Sequence, residues 1–247
     1  MKKNIYYRCL LITILLLSIS ISSQAYQIGP TTPGKWGSPT LGTGATVTWS
    51  YMNDGVVFNE TGTPDTITSF STRLAGFSGW ETEVNNAFRA WSDVSGLNFV
   101  NVADGGEAFN SAGTSGDIRL GFHTFDGYGG VLAHGYYPPN NGNTAAGDIH
   151  LDVDDPWKLG FGGSGFDLFQ VLAHEIGHAI GLDHEGVATA LMNPYYTEDF
   201  RGLLADDIAG AEYLYGPNTT NAVPEPGTMI LFGFGLLGIL GINRRRV

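Results

Sequence analysis

The sequence predicts an α+β domain built on a mixed β-sheet, and three observations carry that prediction. Alternating apolar positions, the two-residue period of a strand, occur at Val47-Trp49-Tyr51, Leu97-Phe99, Ile118-Leu120-Phe122 and Ile149-Leu151-Val153. A helical stripe of Trp80, Val84, Ala87, Phe88 and Trp91 lies among them, and a second helix bearing histidines follows. No internal repeat of fixed period appears, so a solenoid or propeller is excluded.

The elements follow in chain order. Residues 26–44 contain Gly29, Pro30, Pro33, Gly34, Gly37, Pro39, Gly42 and Gly44, and are expected to form an irregular lead-in to a domain over residues 45–217. Ser78, three residues before Glu81, has the spacing of a capping box at the start of the first long helix. The second helix is expected from about Asp167 to Ile180. A third runs from about Ala205 to Tyr215, stopped by Gly216-Pro217.

Both ends are expected to lie outside the fold. Residues 1–25 have a basic start, an apolar run from Leu10 to Leu17 and small residues ending at Ala25, the pattern of a cleaved signal peptide. Residues 218–247 form a linker and then Val223-Pro224-Glu225-Pro226, an apolar run from Gly227 to Ile242, and Asn243-Arg244-Arg245-Arg246. A spanning helix needs about 17 residues or more, so this run is marginal for one. The three parts resemble the PEP-CTERM sorting signal of Gram-negative bacteria. That resemblance implies export to the cell surface or beyond, transient membrane retention by the apolar helix, and tail removal by an exosortase-type enzyme.

The 247-residue chain has a formal charge of -12, but residues 26–222 hold six basic residues against 23 acidic ones. Such a stretch is unsuited to nucleic acid, whose phosphates are gripped by Lys and Arg; it is suited to divalent cations. Hydrophobic residues make up 43% of the chain, enough for a core, which excludes a disordered protein. The single cysteine, Cys9, precedes the proposed cleavage point, so the domain has neither disulfide nor thiolate ligand, and latency through an inhibitory cysteine is not expected.

All six histidines lie between positions 123 and 184, three of them in His174-Glu175-Ile176-Gly177-His178-Ala179-Ile180-Gly181-Leu182-Asp183-His184. Residues four apart share a helix face, so His174 and His178 can reach one metal ion. Gly181 permits the reversal that brings His184 round as a third ligand. Three neutral imidazoles leave one position for water, as in a catalytic zinc site. Zinc lowers the pKa of that water and polarises a carbonyl, and Glu175 is placed to act as general base.

On these residues the sequence resembles the metzincins, and Ala190-Leu191-Met192-Asn193-Pro194 is similar to their Met-turn, with Met192 as the apolar floor. Within the clan it resembles the matrixins most, from about Lys35-Trp36 to Tyr215-Gly216. The most specific stretches are Phe125-Asp126-Gly127-Tyr128-Gly129-Gly130-Val131-Leu132-Ala133-His134 and Gly147-Asp148-Ile149-His150-Leu151-Asp152-Val153-Asp154-Asp155-Pro156-Trp157. The resemblance implies a zincin-like fold: a twisted mixed sheet packed with two long helices, an active-site helix, a Met-turn and a C-terminal helix. It also implies a structural zinc on His134 and His150, one calcium at Asp126, Gly127, Gly129, Asp152 and Asp155, and another at Asp117 with Asp148.

The sequence departs from the family pattern before Phe125, where a shortened loop leaves His123 as the third structural-zinc ligand and supplies no fourth. The activity implied is that of a zinc-dependent endopeptidase. An extended protein or peptide substrate would add to the sheet edge near Leu132 and Ala133, and Gln170, Pro194 and Tyr196 would shape the pocket beside the zinc. Two other readings are open at the level of sequence. One is an exported surface or matrix-associated binding protein that keeps the zinc scaffold. The other is an astacin or serralysin type: Glu185 follows His184 as in astacins, but Pro194 stands where their tyrosine would, and Gly162-Gly163-Ser164-Gly165 is only a fragment of a serralysin repeat.

Overall fold

The structure, a computed structural model, describes residues 26–59, 65–139, 144–186 and 189–219. The proposed signal peptide, and the sorting signal from residue 220 onward, lie outside the described residues. Among the described residues no helix is long and apolar enough to cross a membrane.

The first half runs β1 (Gln27–Ile28), β2 (Ala45–Tyr51), β3 (Val57–Phe58), β4 (Asp65–Thr66), α1 (Phe70–Arg73), α2 (Trp80–Val94) and β5 (Leu97–Asn101). It continues with β6 (Ile118–His123), β7 (Ala133–Gly135), β8 (Ile149–Asp152), β9 (Trp157–Lys158), β10 (Phe166–Asp167), α3 (Leu168–Ala179), β11 (Leu182–Asp183) and α4 (Ala205–Tyr215). Five strands form the main sheet in the order β5-β2-β6-β8-β7. The first four are mutually parallel and β7 is antiparallel to β8, which makes the sheet mixed as expected.

The apolar stripe of α2 is buried as the periodicity requires: Trp80, Val84, Ala87, Phe88 and Trp91 all face the core. Its start differs from expectation. Ser78 is not the cap; Gly79 is, in left-handed backbone at φ 93°, and no side chain caps the helix. Gly79 reverses the chain through its backbone alone, and its carbonyl accepts from Thr82 and Glu83. Helix α3 begins after Asp167 and ends at Ile180, and α4 occupies Ala205–Tyr215, as the sequence indicates.

Strands β6 and β8, whose apolar residues alternate, are buried on both faces. One face meets the main core under α2 and α3. The other is covered in part by a second cluster of Met52, Val56, Phe58 and Ile67, with Phe109 against it. The polar positions of these strands, Arg119, His123, His150 and Asp152, are therefore buried as well, as is Asp148 just before β8. Helices α2 and α3 pack together, tied by the Trp91 indole donating to the Ala173 carbonyl at 2.9 Å.

The lead-in is irregular apart from β1, yet it packs on the domain. β1 pairs with β11, and the Trp36 indole donates to the Ala179 carbonyl at 2.7 Å. The Trp36 amide donates to the hydroxyl of Tyr215 in α4 at 3.0 Å, and that hydroxyl itself donates to the Ile180 carbonyl at 2.7 Å. The indole and the hydroxyl satisfy carbonyls that the end of α3 would otherwise leave orphaned.

Candidate active site and metal centres

Helix α3 presents His174 and His178 on one face, and the chain then reverses at Gly181, which has φ 109°. A side chain there would overlap the Gly34 carbonyl, so both the backbone sign and the close approach require glycine. The reversal delivers His184, and one ring nitrogen from each of the three histidines lies within 4.8 Å of the others. His178 Nε2 and His184 Nε2 are 3.2 Å apart.

Second interactions fix the tautomers. His174 Nδ1 donates to the Leu191 carbonyl at 2.7 Å and His178 Nδ1 to the Leu182 carbonyl at 2.8 Å. A carbonyl can only accept, so both Nδ1 atoms carry the proton and both Nε2 atoms present a lone pair. Burial, reinforced by neighbouring histidines, pushes His174 down to about 3 and His178 to about 4. The rings are thus neutral at ordinary pH, the form that binds a metal.

Glu175, next to His174 in the lining of the cleft, is buried, and burial pushes its carboxyl up to about 8. Its Oε2 has no hydrogen-bond partner. A carboxylate oxygen left bare beside three converging imidazoles fits a site that takes a cation and a protic ligand. The cleft in front of it encloses about 420 Å³. Its lining brings together His174, Glu175 and His184 with the expected Leu132, Ala133, Gln170, Pro194 and Tyr196. β7 is an outer strand of the sheet, and the Val131-Leu132-Ala133 segment entering it forms one wall. Gln170 is held by accepting from the Gly202 amide at 2.9 Å, and the Tyr196 hydroxyl donates to Glu198 at 2.8 Å.

Met192, which is 2% exposed, packs against α3 at Gly177, where a side chain would overlap its sulfur. Asp207 at the start of α4 accepts from the amides of Leu191 at 2.8 Å, Met192 at 3.0 Å and Leu204 at 2.8 Å. The Met192 carbonyl in turn accepts from the Glu185 amide at 2.8 Å, so this turn is bonded to the segment carrying His184.

A second cluster joins His123, His134 and His150, again with one nitrogen of each within 4.8 Å of the others. His134 Nε2 and His150 Nδ1 are 3.0 Å apart. Three strands supply these residues, β6, β7 and β8, and the register His134↔His150 brings two of them opposite each other. Phe58 stacks on His123 with ring centres 4.0 Å apart, and Phe125 stacks on His134 at 4.8 Å. Burial pushes His134 down to about 4 and His150 well below its ordinary value. Among the described residues no carboxylate joins this group as a fourth ligand.

The acidic loop also converges in part. The Gly129 amide donates to Asp155 at 2.7 Å, the Val131 amide donates to Asp126 at 3.1 Å, and one oxygen each of Asp152 and Asp155 is buried without a partner. Burial raises the Asp155 carboxyl, and the charges of Asp152, Asp126 and Asp154 add to the effect. Arg73 holds the loop from behind through the carbonyls of Val153 and Asp155. Asp117 and Asp148 have different surroundings. Asp117 accepts from the amide and hydroxyl of Thr48 at 2.8 and 2.7 Å, whereas Asp148 is buried beside the Arg119 charge and neither of its oxygens has a hydrogen-bond partner.

Three cleft and support residues carry no motif and were not singled out from sequence: Phe166 and Phe200 in the lining, and Tyr137 near it.

The matrixin family profile matches residues 67–216, and the PEP-CTERM protein-sorting motif matches residues 222–246. The chain is 39% identical over 175 residues to karilysin of Tannerella forsythia, covering 68% of this chain and 35% of that protein. It is 47% identical over 148 residues to a hatching enzyme of Paracentrotus lividus, covering 56% of this chain and 22% of the relative. It is also 38% identical over 153 residues to human stromelysin-3, covering 57% and 29%. The chain thus spans about a third or less of the length of these relatives.

Proposed function

Because the chain belongs to the matrixin family, we propose that it is an exported zinc metalloendopeptidase that hydrolyses peptide bonds of extracellular proteins. The observation that carries this reading is the bare, buried Glu175 Oε2 beside three converging imidazoles that line an open cleft or its edge. His174, His178 and His184 would hold the catalytic zinc, completing a metzincin HExxHxxGxxH site, with Met192 in the role of the Met-turn methionine. When bound, the ion supplies Lewis acidity, lowering the pKa of a water toward about 7 and polarising the scissile carbonyl.

The chain's own residues do the rest. Glu175 takes the proton of the attacking water and passes it to the leaving amine; burial has already raised its proton affinity toward that task. The Leu132-Ala133 edge receives the substrate as an added strand, so backbone hydrogen bonds hold it extended across the histidines. Gln170, Pro194 and Tyr196 bound the side-chain pocket.

His123, His134 and His150 are read as a second, structural zinc site, and Asp126, Gly127, Gly129, Asp152 and Asp155 as a calcium loop. A second calcium between Asp117 and Asp148 would compete with the Thr48 bonds that Asp117 already makes. The two ends fit export through a signal peptide, transient inner-membrane retention and exosortase-type processing in a Gram-negative bacterium.

The test is cleavage of a denatured protein substrate by the purified protein beside Glu175→Ala, with bound zinc counted in both. Cleavage by the parent and none by the variant at equal zinc is expected. No cleavage by a folded, zinc-loaded parent on several substrates would overturn the reading.

A further inference from the structure

Asp183 uses one carboxylate oxygen for two donors. Its Oδ1 accepts from the Tyr137 hydroxyl at 2.7 Å and from the backbone amide of His184 at 2.7 Å. Tyr137 lies two residues past edge strand β7, whose entering segment forms the cleft wall; His184 is the third imidazole of the cluster at the cleft's back. One short hydrogen-bond relay therefore joins the substrate-facing edge to the metal-facing turn.

That turn has little else of regular structure to hold it. His174 and His178 are fixed by helix α3, but His184 lies beyond the helix and is exposed, next to a ladder of only two residue pairs, Gln27↔Asp183 and Ile28↔Leu182. Tyr137, by contrast, is well seated. A side chain on Gly29 would overlap its ring, and the ring stands edge-on to His178 with centres 5.6 Å apart and planes at 81°. A hydroxyl on a ring already packed on two sides loses little further entropy when it bonds.

We propose that Tyr137 is a positioning residue for the third metal ligand: its hydroxyl orients Asp183, and Asp183 fixes the backbone amide that sets where the His184 ring points. This rests on the reading of His174, His178 and His184 as a metal site. Groups that orient a ligand from behind typically change metal affinity by about 10–100-fold when removed.

The experiment follows metal release from the full-length protein, loaded with zinc or with cobalt(II), into an excess of chelator. The release phase lost in His184→Ala identifies the ion concerned. Tyr137→Phe keeps the ring packing and removes only the hydroxyl. It is expected to speed that phase about tenfold and alter the cobalt visible spectrum, leaving the phase from the second histidine cluster unchanged. Asp183→Ala should do at least as much, and the double variant no more than Asp183→Ala, because Tyr137 acts through Asp183. Release at the parent rate in Tyr137→Phe, or effects that multiply in the double variant, would overturn the proposal. A parent with no release phase sensitive to His184 would instead overturn the metal-site reading on which it stands.

Discussion

The Met192 side chain occupies the space that a side chain on Gly177 would need. A Cβ at Gly177 would overlap the Met192 sulfur and stand 3.0 Å from its methyl carbon and 3.1 Å from the Trp91 ring. The glycine in the middle of α3 thus has a packing reason: it lets Met192 and Trp91 close against the helix between the two helical histidines.

Gly177→Ala should therefore destabilise the protein, although alanine is the better helix former. Overpacking a closed core of this kind costs about 1–3 kcal/mol. Urea unfolding of the variant beside the parent measures it. Unchanged or increased stability would show that Met192 can move aside without cost.

Asp207 accepts three backbone amides from two segments, two of them on the turn that carries Met192. Asp207→Ala strands those donors in a buried setting. The expected loss is about 2–4 kcal/mol, since each unsatisfied buried group costs roughly 1–3 kcal/mol and water can reach some of them after relaxation. Loss of zinc from the His174, His178 and His184 cluster should accompany it, because the Leu191 carbonyl that orients His174 belongs to the same turn.

Burial raises Glu175 from 4.5 to about 8 in the metal-free protein. A raised acid binds more protons folded than unfolded between those values, so its contribution to stability falls as pH rises through that window. Metal-free Glu175→Gln lacks this term. It should be more stable than the metal-free parent by about 2–4 kcal/mol at pH 8, with the gap closing toward pH 4.5. Denaturant titrations at the two pH values test this, and a gap independent of pH would contradict it.

Zinc removal should lower the melting temperature, and zinc should restore it. An ion that binds only the folded state stabilises by about 4 kcal/mol at a thousand times its Kd. Acid acts in the same direction as chelation. Burial holds His134 and His178 near 4 and His174 near 3, so the unfolded chain binds more protons below about 6.5 and stability falls as pH drops from there. His150→Ala should remove one zinc equivalent and leave the one that His184→Ala removes. Loss of both ions from either variant, in folded protein, would mean the clusters are not independent.

The chain order of residues determined whatever depends on local geometry. The limits of α3 and α4 were legible because their apolar periods end at residues that stop a helix. His174 and His178 could be paired because four residues make about one helical turn. Gly181 announced the reversal to His184, since few other residues accept its backbone angle.

The tertiary structure alone decided what depends on register and on covering surfaces. His123, His134 and His150 meet because β6, β7 and β8 pair in one register, and loops separated by many residues set that register. The alternation in β6 and β8 could not reveal that a second apolar cluster covers the polar face. Ser78 had the spacing of a cap, but Gly79 turned the chain before its side chain could serve. Tyr137 and Asp183 are 46 residues apart, and no periodic pattern records a hydrogen bond between a strand end and a turn; only the folded chain brings that pair together.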